Sequence, residues 1–418
     1  MSAIKDLGKR WNDLSLIIRI LIGLIAGVIL ALAMPGNEII PLFGNIFVAA
    51  LKAVAPILVF FIVMSALANA KTAGNMKTII IILYVLGTLI AGIVGVIASF
   101  MFPSELILAS AEDVTQSSPA GIGEVLTTLI MKVFTNPVDA LMNANYLGVL
   151  AWAIMLGLAF RKAPDSFKEG LGNIADAINK VVQWVICLAP FGILGLVYTS
   201  VSENGLDIFI NYGHIIAVLV ICMLFIALVT NPIIAFICFR KNPYPLVLRT
   251  LKDSGLMAFF TRSSAANIPV NMDLCHKLGL NEDNYGVSIP LGATINMGGA
   301  AVTISVMSMA AAQTLGISID PLSAIILCVL AAVSACGASG VAGGSLLLIP
   351  LACSLLGISN DIAMQVVAVG FIIGVIQDSC ETALNSSSDV LFTASAEYRE
   401  MRKKGIDFKP GKDAESAN

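Results

Sequence analysis

Apolar segments of about 20 residues recur along this chain, and they constrain its fold more than any other feature, because roughly 20 apolar residues in a helix cross a bilayer. Charged residues make up only 12% of the 418 residues, against about 25% in soluble domains. Runs bounded by charge, Pro and Gly predict helices at 14 to 34, 42 to 69, 78 to 102, 141 to 160, 174 to 200 and 211 to 239. The fold class is therefore an all-α polytopic membrane protein.

The charged residues between these segments alternate in sign along the chain. The basic connections carry Lys71, Lys77, Arg161, Lys162, Lys168, Arg240, Lys241, Arg249 and Lys252. The acidic connections carry Glu105, Glu112, Asp113, Glu124, Glu203 and Asp207. Because basic connections stay on the cytoplasmic side, we predict that the N-terminus and the segment 240 to 252 are cytoplasmic. The basic residues between 399 and 404 predict that the C-terminus is also cytoplasmic.

Beyond residue 249 the apolar runs become shorter and are interrupted by small polar residues. One interruption reads Thr-Arg-Ser-Ser-Ala-Ala-Asn-Ile-Pro at 261 to 269, and another is a Gly- and Ser-rich run at 334 to 345. Unwound backbone at membrane depth is tolerated only where protein or water satisfies its polar groups. In transporters such breaks bind substrate and ions. We therefore interpret both runs as tips of re-entrant helical hairpins, with helix packing through small residues as the alternative.

Two further spans carry polar residues that a simple membrane anchor does not need. The span 284 to 314 contains the break Gly-Ala-Thr-Ile-Asn-Met-Gly-Gly-Ala at 292 to 300. The span 361 to 393 carries a polar face at helical spacing, formed by Gln377, Asp378, Glu381, Thr382, Asn385 and Asp389. An aspartate at the centre of a membrane helix costs on the order of 2.5 to 3.5 kcal/mol. The face is expected to line a cavity; the alternative is that the helix has already left the membrane at Asp378.

Charge and composition exclude other classes of function. The net charge is −3, and no basic run is interleaved with aromatic residues, so no nucleic-acid partner is expected. The 8 cysteines form no CxxC pair, and the 2 histidines, His214 and His276, are far apart. No transition-metal site and no cofactor are therefore expected.

Over nearly the whole chain these residues resemble the dicarboxylate/amino acid:cation symporter family, which has the glutamate-transporter-like fold. The resemblance rests on the runs 261 to 264, 292 to 297 and 340 to 343 and on the polar face of the last span. It implies eight transmembrane helices plus two re-entrant helical hairpins in an inverted-repeat, elevator-type transporter. It also implies a homotrimer in the bacterial inner membrane with Na⁺ as the coupling ion.

The resemblance also divides the chain into units. Residues 1 to 239 are expected to form mainly the scaffold and trimer contacts, with the spans near 78 to 102 and 211 to 239 associated with the moving part. The transport core, 240 to 395, is expected to contain hairpin 1 (246 to 275), the interrupted helix (284 to 314), hairpin 2 (321 to 357) and the last helix (361 to 393). Residues 396 to 418 are expected to be a solvated cytoplasmic tail.

Two departures from the family pattern bear on substrate and ion coupling. Where transporters of acidic amino acids have an arginine that binds the substrate's side-chain carboxylate, this chain has Glu381. An anion there repels an acidic side chain, and the similarity is strongest to bacterial members that carry L-serine and L-threonine with sodium. Gly298 stands where the family has an aspartate of one sodium site, so fewer coupled sodium ions are implied.

The resemblance assigns the binding residues one by one. Asp378 is expected to bind the α-ammonium group of the substrate. Asn385 and the backbone of hairpin 1 are expected to bind its α-carboxylate. The full substrate set is Ser263, Ser264, Val341, Asp378, Glu381, Thr382 and Asn385. The sodium set is Gly292, Thr294, Asn296, Asn385 and Asp389. Its oxygen ligands suit a hard cation, and Thr294 is assigned to a second, weaker site with carbonyls near 335 to 338.

Two other functions remain open at this point. One is a transporter of other small neutral amino acids or of dicarboxylates. The other is an intramembrane protease that uses Ser263 and Ser264, or Asp378 and Asp389, as catalytic groups. The serines lack an adjacent His or Lys base, and the two aspartates lie about 16 Å apart along one helix, too far to share a proton.

Overall fold

The computed structural model describes residue 14 and residues 16 to 69, 75 to 108, 131, 133 to 336, 338 and 343 to 413. Every regular element in these ranges is helical. The α-helices are α1 (Leu16–Ala33), α2 (Ile40–Ala68), α3 (Asn75–Met101), α4 (Pro137–Met142), α5 (Tyr146–Phe160), α6 (Asp165–Cys187), α7 (Ala189–Asn204), α8 (Ile208–Phe225), α9 (Asn231–Phe239), α10 (Tyr244–Thr250), α11 (Leu256–Thr261), α12 (Ile268–Lys277), α13 (Glu282–Ile295), α14 (Gly298–Thr314), α15 (Pro321–Ala335), α16 (Ile349–Leu355) and α17 (Asn360–Lys403). Lys71, the acidic residues at 112, 113 and 124, and Val341 lie outside the described residues.

Several of these helices are long and apolar enough to cross a membrane. Five qualify individually: Ile40–Ala68, Thr78–Met101, Phe209–Phe239, Glu282–Thr314 and Asn360–Lys403. A sixth candidate is the pair α6 and α7, which is bent by 50°. Pro190 lies in the first turn of α7, where its missing N–H leaves no helical hydrogen bond unmade. The chain is therefore a multi-pass membrane protein, and five or six of the described helices are long and apolar enough to span the bilayer.

Both segments predicted as hairpins have two helical arms. Hairpin 1 rises through α10, a π-helical turn (Leu251–Gly255) and α11, and returns through α12. Between the arms, Arg262 has a left-handed backbone with φ 50°, a conformation uncommon outside glycine. Hairpin 2 rises through α15 and returns through a 3₁₀ turn (Gly344–Leu348) and α16. The helical arms thus end near the polar turns that the interrupted apolar runs predicted.

The interrupted helix and the last helix lie at the centre of the molecule. Residues Gly298 to Ala312 of α14 are all buried, and α14 packs against α3, α15 and α17. Both arms of hairpin 1 contact α17, whereas α1 packs on α7, and α2 packs on α5, α6 and α7. The break between α13 and α14 therefore meets the polar face of α17 in the protein interior.

The last helix is longer than predicted, and part of the segment after it folds back onto the protein. α17 continues well past residue 393. The chain then turns back, so that Phe408 stacks on Tyr398 at 4.8 Å between ring centroids and packs edge-on against Phe239. Lys241 donates hydrogen bonds to Asp407 and to the Phe408 carbonyl, and the first of these lowers the pKa of Asp407. The sequence did not predict this return of the chain, because the partners of these aromatic rings lie far away in sequence.

Candidate functional site

The polar face of α17 is buried along its whole length. Gln377, Asp378, Glu381, Asn385 and Asp389 are each 5% exposed or less. The alternative in which this stretch is a solvated helix end is therefore wrong. Burial of three carboxylates on one helix requires partners for each of them, and the partners differ from one carboxylate to the next.

Asp389 lies against the break in the interrupted helix. Its Oδ1 accepts a hydrogen bond of 2.9 Å from the Asn296 side-chain amide, which also donates to the Asn385 carbonyl at 3.2 Å. The other carboxylate oxygen, Oδ2, is buried and has no hydrogen-bond partner among the described residues. A Cβ on Gly292 would lie 2.5 Å from Asp389 Oδ1, so only glycine allows this approach. Four of the predicted sodium ligands thus lie together beside a carboxylate that has one orphaned oxygen. Carboxylate and carbonyl oxygens are the ligands that a hard cation prefers.

Tyr84 supports this cluster and was not predicted from the sequence. Its hydroxyl donates to the Ser288 carbonyl at 3.1 Å and lies 3.0 Å from the Thr393 hydroxyl. It would also lie 2.9 Å from a Cβ on Gly292. Tyr84 comes from α3, and an isolated tyrosine in an apolar run carries no sequence signal of such a role.

Asp378 is paired with groups of the protein itself. Arg262 Nε donates to Asp378 Oδ2 at 2.6 Å, and the two side chains are 7% and 4% exposed. Gly343 N–H at the start of the returning arm of hairpin 2 donates to the other oxygen at 3.2 Å. The left-handed backbone of Arg262 turns the chain at the end of α11, from where its side chain reaches α17. The sequence feature that could have pointed to this ion pair was Arg262, a single basic residue in an otherwise uncharged hairpin turn.

Glu381 accepts three hydrogen bonds on one oxygen atom. The donors to Oε2 are Gln377 Nε2 at 2.5 Å, the Thr303 hydroxyl at 2.7 Å and the Ser345 hydroxyl at 2.8 Å. They come from α17, from α14 and from hairpin 2 respectively. A Cβ on Gly299 would lie 2.7 Å from the Glu381 carbonyl, so a side chain there would push α14 away from α17. Gln377 was predicted from the sequence as part of the polar face, whereas Thr303 and Ser345 were not singled out.

Thr382 and Asn385 are engaged by the protein itself. The Thr382 hydroxyl donates to the carbonyl of Asp378 within the same helix at 2.7 Å. Asn385 Oδ1 accepts the N–H of Gly299 at 2.7 Å, and its amide contacts the sulfur of Met297 at 3.4 Å. Asn385 therefore ties α17 to the first turn of α14 while its carbonyl faces the Asp389 cluster.

The remaining predicted residues lie in the hairpin turns and at the end of α13. Ser263 accepts the N–H of the residue three positions on at 3.2 Å, and Ser264 is only 3% exposed. Thr294 is exposed and donates to the Leu291 carbonyl. Cys336 of hairpin 2 contacts the carbonyl next to Thr294 at 3.4 Å. The structure thus brings the turn of hairpin 2 beside Thr294, while Val341 is outside the described residues.

Hairpin 1 is held on α17 by a second polar cluster that the sequence analysis missed. Asn267 donates to the Ser386 hydroxyl at 2.8 Å and to the Ser254 hydroxyl at 3.0 Å. Asn271 donates to the Ser386 carbonyl and hydroxyl at 3.1 and 3.0 Å. All four side chains are fully buried. Because buried polar groups need partners, this cluster fixes the position of hairpin 1, and hence of Arg262, relative to α17.

The chain is similar in sequence to known membrane transporters. A family model described as the sodium:dicarboxylate symporter family matches residues 16–398. A protein of Streptococcus agalactiae serotype Ia named serine/threonine transporter SstT is 57% identical over 398 residues, which cover 95% of this chain and 99% of that protein. A protein of the same name from Streptococcus thermophilus is 57% identical over 395 residues, covering 94% of this chain and 98% of that protein.

Proposed function

The chain belongs to the sodium:dicarboxylate symporter family, and from this premise we propose that it imports serine and threonine together with sodium ions by alternating access. Relatives that are named serine/threonine transporters match it at 57% identity over 95% of its length. It is a transporter rather than an enzyme, so the protease alternative is dropped.

The buried pair of Arg262 and Asp378 is the observation that carries the substrate class. An amino acid is a zwitterion, so it offers one group of each sign to this pair. Its α-ammonium binds Asp378, and its α-carboxylate binds beside Arg262, at the Ser263 and Ser264 backbone and the Asn385 amide. The N-terminus of a helix favours an anion, and α12 begins just after this turn. Because the zwitterion has no net charge, its binding leaves the net charge of the site unchanged, which keeps the desolvation cost of burying the substrate low.

Glu381 accounts for the preference for neutral side chains. It is 5% exposed and carries no cation partner among the described residues. Two like charges about 4 Å apart repel by about 1 kcal/mol in water and by more when desolvated, which disfavours aspartate and dicarboxylates. Thr382 and Glu381 are left to face the substrate side chain, with Val341 of hairpin 2 as a further contact, and a hydroxyl there can be hydrogen-bonded.

The coupling ion binds at Asp389 with the carbonyls of Gly292, Asn296 and Asn385. The orphaned Oδ2 of Asp389 supports this assignment, because a bound cation supplies the partner that the protein does not. Thr294 with the carbonyls of hairpin 2 is the weaker second site.

The whole assembly follows the family pattern in this proposal. It has eight spanning helices and two re-entrant hairpins, it forms a homotrimer in the bacterial inner membrane, and both termini are cytoplasmic. The mutual packing of α1, α2, α5, α6 and α7 supports a scaffold, against which the unit of about 240 to 395 moves.

Uptake of labelled serine into proteoliposomes tests the proposal. An inward sodium gradient should drive accumulation of serine above equilibrium, and unlabelled threonine should compete whereas aspartate and succinate should not. Accumulation that proceeds equally with potassium in place of sodium rules out sodium coupling. Competition by aspartate or succinate at the concentration at which threonine competes would assign the chain to acidic substrates instead.

A further inference from the structure

Glu381 is held by three different structural elements at a single oxygen atom. Thr303 lies on α14, Ser345 on the returning arm of hairpin 2, and Gln377 on α17 one turn before Glu381. The side chains are 0%, 1% and 1% exposed. Such a convergence is not needed for packing, since apolar residues of similar volume would fill the same space without demanding matched hydrogen bonds.

The donors also bind one another. Gln377 Nε2 donates both to Glu381 Oε2 at 2.5 Å and to the Thr303 hydroxyl at 2.7 Å. Thr303 in turn donates to Glu381 at 2.7 Å. A glutamate side chain has freely rotating bonds, and an unheld one in a cavity would sample several rotamers. Hydrogen bonds to a charged group are short and about twice as strong as those between neutral groups, so three of them hold the Glu381 carboxylate in one place.

We propose that Thr303, Ser345 and Gln377 are positioning residues which fix the Glu381 carboxylate in the substrate pocket, so that selectivity for neutral side chains depends on four residues rather than on Glu381 alone. This inference rests on the proposed function. It makes the returning arm of hairpin 2 part of the selectivity device, because Ser345 supplies one of the three hydrogen bonds. Repulsion falls with distance, and a carboxylate that can swing away discriminates less against an acidic substrate.

Thr303→Val is the first test, because it keeps the shape of the side chain and removes the hydroxyl. We expect the KM for serine to rise roughly tenfold, the effect of losing one hydrogen bond to a charged group, with kcat little changed. Aspartate should become a competitor of serine uptake. Thr303→Ser restores the hydroxyl and should restore both properties.

Ser305→Ala is the matched control. Ser305 lies on the same helix, is 0% exposed and has a hydroxyl without a hydrogen-bond partner among the described residues. It should keep the wild-type KM and the wild-type exclusion of aspartate. Ser345→Ala tests the contact from hairpin 2 independently and decides the matter if Thr303→Val fails to insert into the membrane.

Combination with Glu381→Gln separates positioning from general packing. In that background, Thr303→Val should change the serine KM by less than about threefold, because coupled residues are not additive. The inference is overturned if Thr303→Val and Ser345→Ala both exclude aspartate as the wild type does, or if Thr303→Ser fails to rescue. Wild-type protein that takes up no serine at all would instead refute the proposed function, so the two failures are distinguishable.

Discussion

Replacement of Asp389 by asparagine is the sharpest test of the cation site. The substitution keeps the size of the side chain and removes its charge. In the structure Asp389 Oδ1 accepts one hydrogen bond from Asn296, and Oδ2 is buried without a partner among the described residues. At the proposed cation site the carboxylate is therefore buried and incompletely satisfied by the protein, and a bound ion would supply the missing partner.

The expected magnitude follows from this geometry. A contact to a fully charged partner contributes about 1.5 to 3 kcal/mol, so Asp389→Asn should raise the sodium concentration for half-maximal uptake roughly ten- to hundredfold. Leaving a buried acceptor unpaired costs about 1 to 3 kcal/mol. The sodium-free variant should consequently unfold at the same temperature as the sodium-free wild type or at a higher one. Serine affinity at saturating sodium should change much less.

Thermal unfolding in detergent as a function of sodium concentration gives both quantities in one titration. A ligand at about 100 times its Kd stabilises the folded protein by about 2.7 kcal/mol. The wild type should gain this stabilisation at sodium concentrations that stabilise Asp389→Asn only slightly. Glu397→Gln is the matched control, because Glu397 is a buried carboxylate of the same helix whose oxygens are bound by Asn281 N–H and the Asn284 amide. A wild-type sodium midpoint in Asp389→Asn would place the ion elsewhere.

Three further changes probe the other partners. Glu381→Arg should weaken serine uptake and admit aspartate in a competition assay; unchanged serine affinity with continued exclusion of aspartate would mean that another residue faces the side chain. Asp378→Asn should leave the buried Arg262 guanidinium without its counter-charge and lower the stability of the protein by about 3 to 5 kcal/mol. Adding Arg262→Gln should recover the stability in thermal unfolding but should not recover serine binding in calorimetry. Serine binding retained in the double variant would mean that the pair does not hold the zwitterion. Phe408→Ala should release the segment 404 to 413, seen as faster trypsin cleavage at its lysines with serine uptake retained; an unchanged cleavage rate would show that the aromatic contacts do not hold the tail.

Much of this fold could be predicted from the sequence because membrane helices leave a strong local signal. Apolar runs located most of the helices, and interruption of such runs located the two turns and the break at 292 to 300. Local spacing also placed Asn385 and Asp389 on one helical face and located the glycine-rich break that contains Gly292 and Asn296. The assignment of these residues to sodium came from the family resemblance and not from their spacing.

The partners of Asp378 and Glu381 could not be predicted in the same way. Arg262 reaches Asp378 across 116 positions of the chain, and Thr303 reaches Glu381 across 78. Such contacts depend on how hairpin 1, α14 and α17 pack, which no periodicity encodes. The same holds for Tyr398, whose ring partners lie in α9 and in the returning tail. The sequence showed which polar residues were candidates for function, but it did not show which of them pair with one another.

Charge balance in the core gives a physical reason for coupling. Among the described residues Arg262 is the single buried base, whereas the polar face of α17 carries three buried carboxylates, at 378, 381 and 389. Arg262 compensates Asp378, and neutral donors hold Glu381, so Asp389 is left as the anion with an unpaired oxygen. A zwitterionic substrate brings no net charge and cannot correct this excess. A sodium ion can, and the unit that is proposed to move through the low-dielectric bilayer would carry less uncompensated charge once the ion is bound. The free-energy cost of moving the unit would therefore be higher with the substrate alone bound than with both the substrate and the ion bound.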